Sequence, residues 1–563
     1  PLLDSTGVAL EALGRNGLKS RGETMEQRND GEAKRAAFDW VEQNRRLLSD
    51  WNQVIWHYAE PALREYKSAA WYVDRLEREG FKVEAGSGGM PTAFAATFET
   101  GEGPTIAAYA EYDAVPGNCQ MAAPRKGPRK GLSKYAAGHT DPHSALGIGA
   151  LGGALAAKAA MQRFGIKGTI RFFGECAEKL RLSKPVHAAK GYYDKLDAAI
   201  SFHPTYMLPL CNTVRWDTHC GAAYLCIYTF ECVEPEYWGT ADASSPIPAS
   251  HIAARAPGAN DALFTMFGLT KQLQSSMLPF TTGWSISEAI LTAGQATADN
   301  LPAHLAQIQY IWRVPDLGMA EQVLRVLDNN AEAAAKAAHC RWRRTWVSRS
   351  RPGIPNHAMA HAVFANLQAA GAPQWGAEAI AAAQAIQREL GLEPMQKPYI
   401  DAIERLIEPE EAERLLRRNL PPSQLNSTSD DYTEYCWHAP TARFYIGRPM
   451  LKAPRGFHYP DWALNALGGI AACIDPMIET AAKTVAGTIV DLMTKPDLLA
   501  AARTEFEQRT GGGIGGSNWI APQRPRDFRP PIDVRWPEYV TTTRGEEWWI
   551  PASADESEPN QTP

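Results

Sequence analysis

Residues 138–147 read GHTDPHSALG, and their chemistry organises the reading of the whole chain. His139, Asp141 and His143 fall on alternate positions, so their side chains can converge from one turn. A run of small and apolar residues, 148–160, follows at once and predicts a buried helix that holds the turn rigid. Imidazole and carboxylate at this density suit a divalent transition metal such as zinc or manganese. A polar loop with helix-capping roles explains the same residues on local grounds, so the stretch alone leaves both readings open.

Outward from this stretch, three strand-like segments each end in groups that can do chemistry. Residues 105–110 run into Glu111 and Asp113, 168–173 into Glu175, Glu178 and Lys179, and 196–201 into His203. Helical patterns lie between them. The alternation predicts an α/β fold with a mostly parallel sheet, helices on both faces, and a site at the strands' C-terminal ends. For Glu111 and Asp113 taken alone, a turn with solvated acids is as good an account.

The flanking chain completes the layout. Between residues 37 and 79, Trp40, Leu47, Trp51, Ile55 and Trp56 recur at helical spacing, which predicts two helices broken near Pro61. After Cys220 the pattern becomes strand (222–232), helix (261–277), two strands (286–292 and 307–314) and helix (320–338). That order predicts a small α+β sandwich inserted into the first domain as a lid or dimerisation domain. Residues 355–420 read as helical, 440–445 as a strand, and Asp475 with Pro476 as the start of a closing helix that runs to about Leu492. The expected organisation is a mobile tail (1–36), a catalytic domain in two parts (37–218 and 350–495), the insertion (219–349) and a C-terminal extension (496–563).

Composition narrows the function classes. A chain of 563 residues is too long for one core. Its net charge of −6 gives no electrostatic case for nucleic acid. No apolar run predicts a membrane span, and residues 145–160 read as a packed helix. Nine cysteines without a CxxC pair argue against a zinc ribbon or a disulfide scaffold. With no signal-peptide pattern visible, the expected compartment is the reducing cytoplasm. Trp216, Trp238 and Trp284 lie in or near the insertion, as pocket or as core.

Ten short strings carry a resemblance. They are AEPALREYKSA (59–69), GMPTAF (89–94), AEYDAVPG (110–117), GHTDPHSALG, FFGECAEK (172–179), SFHP (201–204), SHIAA (250–254), NLP (300–302), SDDYTEYCW (429–437) and FHYPDW (457–462). In this order they resemble a family of metal-dependent amidohydrolases and exopeptidases. It includes aminoacylases, auxin-conjugate hydrolases and p-aminobenzoyl-glutamate hydrolase, the last being the nearest in pattern. The resemblance covers about residues 38–492.

The resemblance implies roles residue by residue. The family's GHACGHN string places a Cys and its second His on the metal, and here Asp141 and His143 hold those positions. His203 matches the next ligand, and Glu178 matches the general base. His458 and Asp475 compete for the family's last ligand. His251 would polarise the scissile carbonyl, commonly across a dimer, with Asn300 as a second polar contact. Asp431 and Glu434 match acids with structural roles. His139 is expected to support the site or the fold, and His187, which has no match, to lie on a helix.

Lys179 departs from the family, which has a second Glu ligand there. An ammonium offers no lone pair and repels a cation. The expectation is therefore one zinc or manganese ion per chain, held by Asp141, His143 and His203, with Lys179 paired to Asp475 if that acid lies nearby. The alternative to a single-ion site is that Lys179 swings out and Asp113 or Glu175 substitutes for the lost ligand. The implied reaction is hydrolysis of the amide C–N bond of a small aromatic amino-acid conjugate by a homodimer, with neither nucleic acid nor membrane as partner. Two alternatives stand: hydrolytic deamination of an aromatic amine, as in the similar 5-nitroanthranilate aminohydrolase, and a non-catalytic binding homologue.

Overall fold

The computed structural model describes residues 25–232, 257–278, 283–294 and 303–532, with the backbone of 538–542 and 545–549. Three helices come first: α1 (Met25–Gln43), α2 (Arg45–Tyr58) and α3 (Tyr66–Arg78). Residues 25–36, expected in a mobile tail, are thus helical. Ala33, Ala37 and Val41 form the buried stripe of α1, and Lys34 donates to Asp491 at 2.6 Å. Alanines at this spacing are a weak apolar signal, which hid the helix from the pattern. Where two helices were expected across 37–79 there are three, with an added break at Asn44.

The chain then runs through β1 (Lys82–Ala85), β2 (Phe94–Glu99), β3 (Thr105–Ala110), α4 (His143–Phe164), β4 (Thr169–Gly174), α5 (Ser183–Ala189), β5 (Ala198–Pro204) and β6 (Thr213–Val214). An excursion follows: β7 (Ala222–Glu231), α6 (Ala259–Met277), β8 (Ser285–Ala293), β9 (Leu305–Val314), α7 (Leu317–Ala337) and β10 (Arg341–Ser350). The return comprises α8 (His357–Ala370), α9 (Ala377–Glu389), α10 (Pro409–Arg417), α11 (Thr433–Cys436), β11 (Thr441–Ile446), α12 (Asp461–Gly469), α13 (Ala471–Thr494) and α14 (Pro496–Thr510). A hairpin of β12 (Glu538–Thr542) and β13 (Gly545–Trp549) comes last.

The main sheet has seven strands in the order β1-β2-β4-β3-β5-β11-β6. Its four central strands, β4, β3, β5 and β11, pair in parallel, while β1, β2 and β6 are antiparallel additions at the edges. The C-terminal ends of the central strands therefore share one edge of the sheet, where ligands bind in open α/β folds. The α/β expectation is borne out. Behind the sheet, α4 packs closely on α13. A Cβ at Gly153 would stand 2.5 Å from the Cβ of Val485, so only glycine permits this approach. Helix α4 has the length and hydropathy to cross a bilayer, but nearly all of it is buried in this core.

The second sheet, β10-β7-β9-β8, is wholly antiparallel and carries α6 and α7. Its core is aromatic, with Tyr224, Tyr228, Tyr310 and Trp312 fully buried. The sequence pattern anticipated each element except β10. That strand, RWRRTWVSRS, reads as charged because exposed arginines separate the tryptophans that pack on the core. Two further differences lie near the C-terminus. Helix α13 begins at Ala471, ahead of Asp475, and Pro476 sits inside it. Burial of Cys473 and Ile474 outweighs the one backbone hydrogen bond that Pro476 forgoes. Residues 496–510, assigned to the C-terminal extension, form α14, with Pro496 in its first turn and Gly511 at its end in the left-handed conformation.

A candidate metal centre at the strand ends

Four chain segments deliver side chains to this edge. Glu111 and Asp113 follow β3 directly, Glu178 and Lys179 lie on a short 3-10 turn after β4, and His203 is near the end of β5. Asp141 lies in the loop before α4, and His143 is that helix's first residue. The turn after β4 is strained, since Ala177 and Arg181 both adopt positive φ, 52° and 54°. Two carboxylates from other segments hold it. Glu65 accepts the Ala177 N–H at 2.7 Å, and Asp113 accepts the Lys179 N–H at 2.7 Å.

Both imidazoles are oriented by their outer nitrogens. His143 Nδ1 lies 2.7 Å from Asp113 Oδ1, and His203 Nδ1 lies 2.6 Å from the Pro204 carbonyl. This leaves each Nε2 facing the cluster, the usual outer support of a metal-binding histidine. His143 Nε2 stands 3.4 Å from Asp141 Oδ2, and His203 Nε2 stands 3.6 Å from the same oxygen. Ligand atoms bound to one ion at about 2.0–2.2 Å lie roughly 3.0–3.5 Å apart; Asp141 and His143 have that spacing, and Asp141 and His203 stand slightly wider. Lys179 Nζ takes a place among the same acids, 2.8 Å from Asp141 Oδ2, 3.1 Å from His143 Nε2 and 3.4 Å from Glu178 Oε2. The other oxygen of Glu178 pairs with Arg181.

The charges follow from this geometry. Burial and the Lys179 ammonium both work against a proton on His143, but Asp141 and Asp113 outweigh them and hold its imidazolium up to about 9. A ligating imidazole is neutral, so an ion held by His143 would displace that proton. Burial drives His203 down to about 4. Burial also opposes the charge on Lys179, yet Asp141 and Asp113 keep it above its ordinary value. Burial and the nearby Asp113 push Glu65 up to about 8.

Some expected residues lie elsewhere. Asp475 sits on α13 beside Ser49, Asp50 and Glu479, so it is not the partner of Lys179. His458 is exposed on the loop before α12 and makes no bond to the cluster among the described residues. Glu175 accepts from Tyr193 at 2.6 Å and Tyr435 at 2.7 Å and lies 2.9 Å from His187, which is on α5; it belongs to a separate buried network. Glu434 pairs with the buried Arg351 at 2.5 Å. His139 is buried with Nε2 3.3 Å from the Ile55 carbonyl. Trp216 stacks on His357, away from the cluster, and Trp284 packs against the core of the second sheet. His251, Asn300 and Trp238 fall outside the described residues.

Asp475 yields a prediction of its own. Burial raises its carboxyl to about 7, and its Oδ1 is buried without a hydrogen-bond partner among the described residues. A carboxyl with its folded value raised binds more protons folded than unfolded, so stability falls as pH rises from near 4 through 7. Asp475→Asn is therefore expected to stabilise the protein by about 1–2 kcal/mol at pH 8, with the gain vanishing toward pH 4. Urea unfolding at both pH values checks this, and metal content should not change.

Sequence reasoning weighed Glu111 only as an acid at a strand end and gave no part to Lys184, Arg181 or Glu65. Lys184, fully buried, bridges Glu111 at 2.8 Å and Asp431 at 2.7 Å. The signal for Glu65 was present, since it lies inside the first of the ten strings. Nothing local marks Lys184, whose partners come from residues 73 and 247 positions away.

No family model matches the chain. It is similar to a component of p-aminobenzoyl-glutamate hydrolase from Escherichia coli (strain K12), 25% identical over 491 residues that cover 84% of this chain and 94% of that protein. It is also similar to the solved aminobenzoyl-glutamate utilization protein of Klebsiella pneumoniae, with a TM-score of 0.48, 15% identity, and 80% of this chain and 98% of that chain covered. A dinuclear metal-binding peptidase of the M20 family from Bacillus subtilis gives a TM-score of 0.42, 15% identity, and 80% and 99% coverage. The resemblance carried by the ten strings holds over most of the chain.

Proposed function

We propose that this chain is a metal-dependent hydrolase that cleaves the amide C–N bond of a small aromatic amino-acid conjugate, with one zinc or manganese ion per chain. The observation that carries this reading is the convergence of Asp141, His143 and His203 beside Glu178 at the C-terminal edge of the parallel strands. Asp141, His143 and His203 would hold the ion, which when bound lowers the pKa of a coordinated water. Glu178 takes a proton from the attacking water and delivers it to the leaving nitrogen. Arg181 fixes one oxygen of Glu178 and leaves the other facing His143 Nε2, 3.5 Å away. His251 and Asn300, from the inserted lid (219–349), contact the carbonyl as it gains charge.

The substrate class rests on the Escherichia coli relative, whose name specifies p-aminobenzoyl-glutamate, an aromatic acyl group joined to an amino acid. Tyr206 supports an aromatic guest, being 39% exposed and set edge-on to His203 with ring centroids 5.4 Å apart. A homodimer in the cytoplasm completes the reading. Among the described residues no two cysteines form a disulfide, and β8 leaves Ile290 exposed at the sheet edge. Hydrolysis of p-aminobenzoyl-glutamate by the purified protein, abolished by a chelator and restored by Zn2+ or Mn2+, is the expected result. No hydrolysis, but ammonia release from an aromatic amine, would favour the deaminase reading, which the intrusion of Lys179 on a single-ion site supports. Failure with both substrates would favour a binding homologue.

Lys179→Glu tests the single-ion count. A carboxylate in place of the ammonium removes the repulsion and adds a donor. The expected change is a rise from about one to about two metals per chain, the donor count then sufficing for a second ion, measured by elemental analysis after dialysis. An unchanged count would mean that Lys179 does not exclude the second ion.

A further inference from the structure

We infer that Glu111 is a ligand of the same cation, supplying the carboxylate that position 179 has lost. The inference rests on the metal-dependent reading above. Glu111 is fully buried, and its Oε2 has no hydrogen-bond partner among the described residues. A buried carboxylate oxygen costs free energy unless something cationic meets it, a place that the His143 imidazolium takes until an ion displaces its proton. That oxygen faces His143 Nε2 at 3.3 Å, the spacing of two ligands on one ion. Glu111, His143 and His203 each bring a donor atom within 4.8 Å of the others.

The other half of the carboxylate is anchored. Lys184 holds Glu111 Oε1 at 2.8 Å and is itself held by Asp431 at 2.7 Å. A ligating carboxylate hydrogen-bonded from behind is oriented toward its metal, as outer partners orient histidines. Glu111 also groups with Asp430 and Asp431, but Asp430 is engaged by the guanidinium of Arg443 and Asp431 by Lys184. Two carboxylates and two imidazoles, Glu111, Asp141, His143 and His203, then form an N2O2 set suited to zinc or manganese.

The test is Co2+ binding by the full chain, with affinity read by chelator competition and coordination read from the visible d–d absorption. Glu111→Gln keeps the shape and removes the charge. It is expected to weaken Co2+ binding by more than the about 10–100-fold typical of outer-layer changes, and to shift the d–d bands. Lys184→Gln frees the anchor but keeps the ligand, so it should lose about 10–100-fold while retaining the bands. If Glu111→Gln does not fold, Glu111→Asp keeps the charge facing Lys184 but draws the carboxylate back by one methylene, so weaker Co2+ binding and shifted bands are again expected. Unchanged affinity and bands in the Glu111 variant overturn the inference and leave the proposed function standing. Absence of Co2+ binding by the unaltered protein overturns both.

Discussion

Glu178→Gln is expected to keep its metal and lose turnover by on the order of a hundredfold or more, the usual cost of removing a positioned general base. The residue sits on a turn that the fold strains and braces. Ala177 and Arg181 hold positive φ on either side, and Glu65 and Asp113 accept the turn's N–H groups. The side chain that this turn presents is a carboxylate aimed at His143. Glutamine preserves the shape but cannot accept a proton at neutral pH. The readout is kcat on p-aminobenzoyl-glutamate together with metal content. A rate near that of the unaltered protein would remove Glu178 from the chemistry.

His203→Ala is expected to lose metal and activity together. His203 lies at the end of β5, where pairing with β11 and the following Pro204 fix the backbone. Burial keeps its imidazole neutral down to about 4, so it is a ready donor throughout the physiological range. Removing it leaves Asp141 with one imidazole neighbour, His143, and opens space beside Tyr206. Elemental analysis and turnover, measured on the same preparation, should fall in step. Full metal occupancy in this variant would show that the ligand assignment is wrong.

Strand ends followed by Glu, Asp or His were legible because the parallel sheet imposes that order. Glu111, Glu178 and His203 came to one edge for that reason, and the loop before α4 brings Asp141 and His143 to them. Lys179 was legible as a departure but not in its contacts. Its pairing with Asp141 rather than Asp475 depends on where α13 begins, and burial of Cys473 and Ile474 decides that, not the Pro476 signal. The bridge from Lys184 to Glu111 and Asp431 was hidden, because segments far apart in the chain meet there. Helix α1 was missed because alanine makes its buried stripe, and β10 because arginine alternates with tryptophan.

On the proposed reading, one divalent ion binds per chain among Asp141, His143 and His203 while the Lys179 ammonium holds off a second. Elemental analysis of the unaltered protein, saturated with Zn2+ or Mn2+ and then dialysed, tests it most directly. About one ion per chain is the count expected of one such donor set. Two ions per chain would contradict the claim and place a second metal where the ammonium now lies, and none would remove metal chemistry from this site.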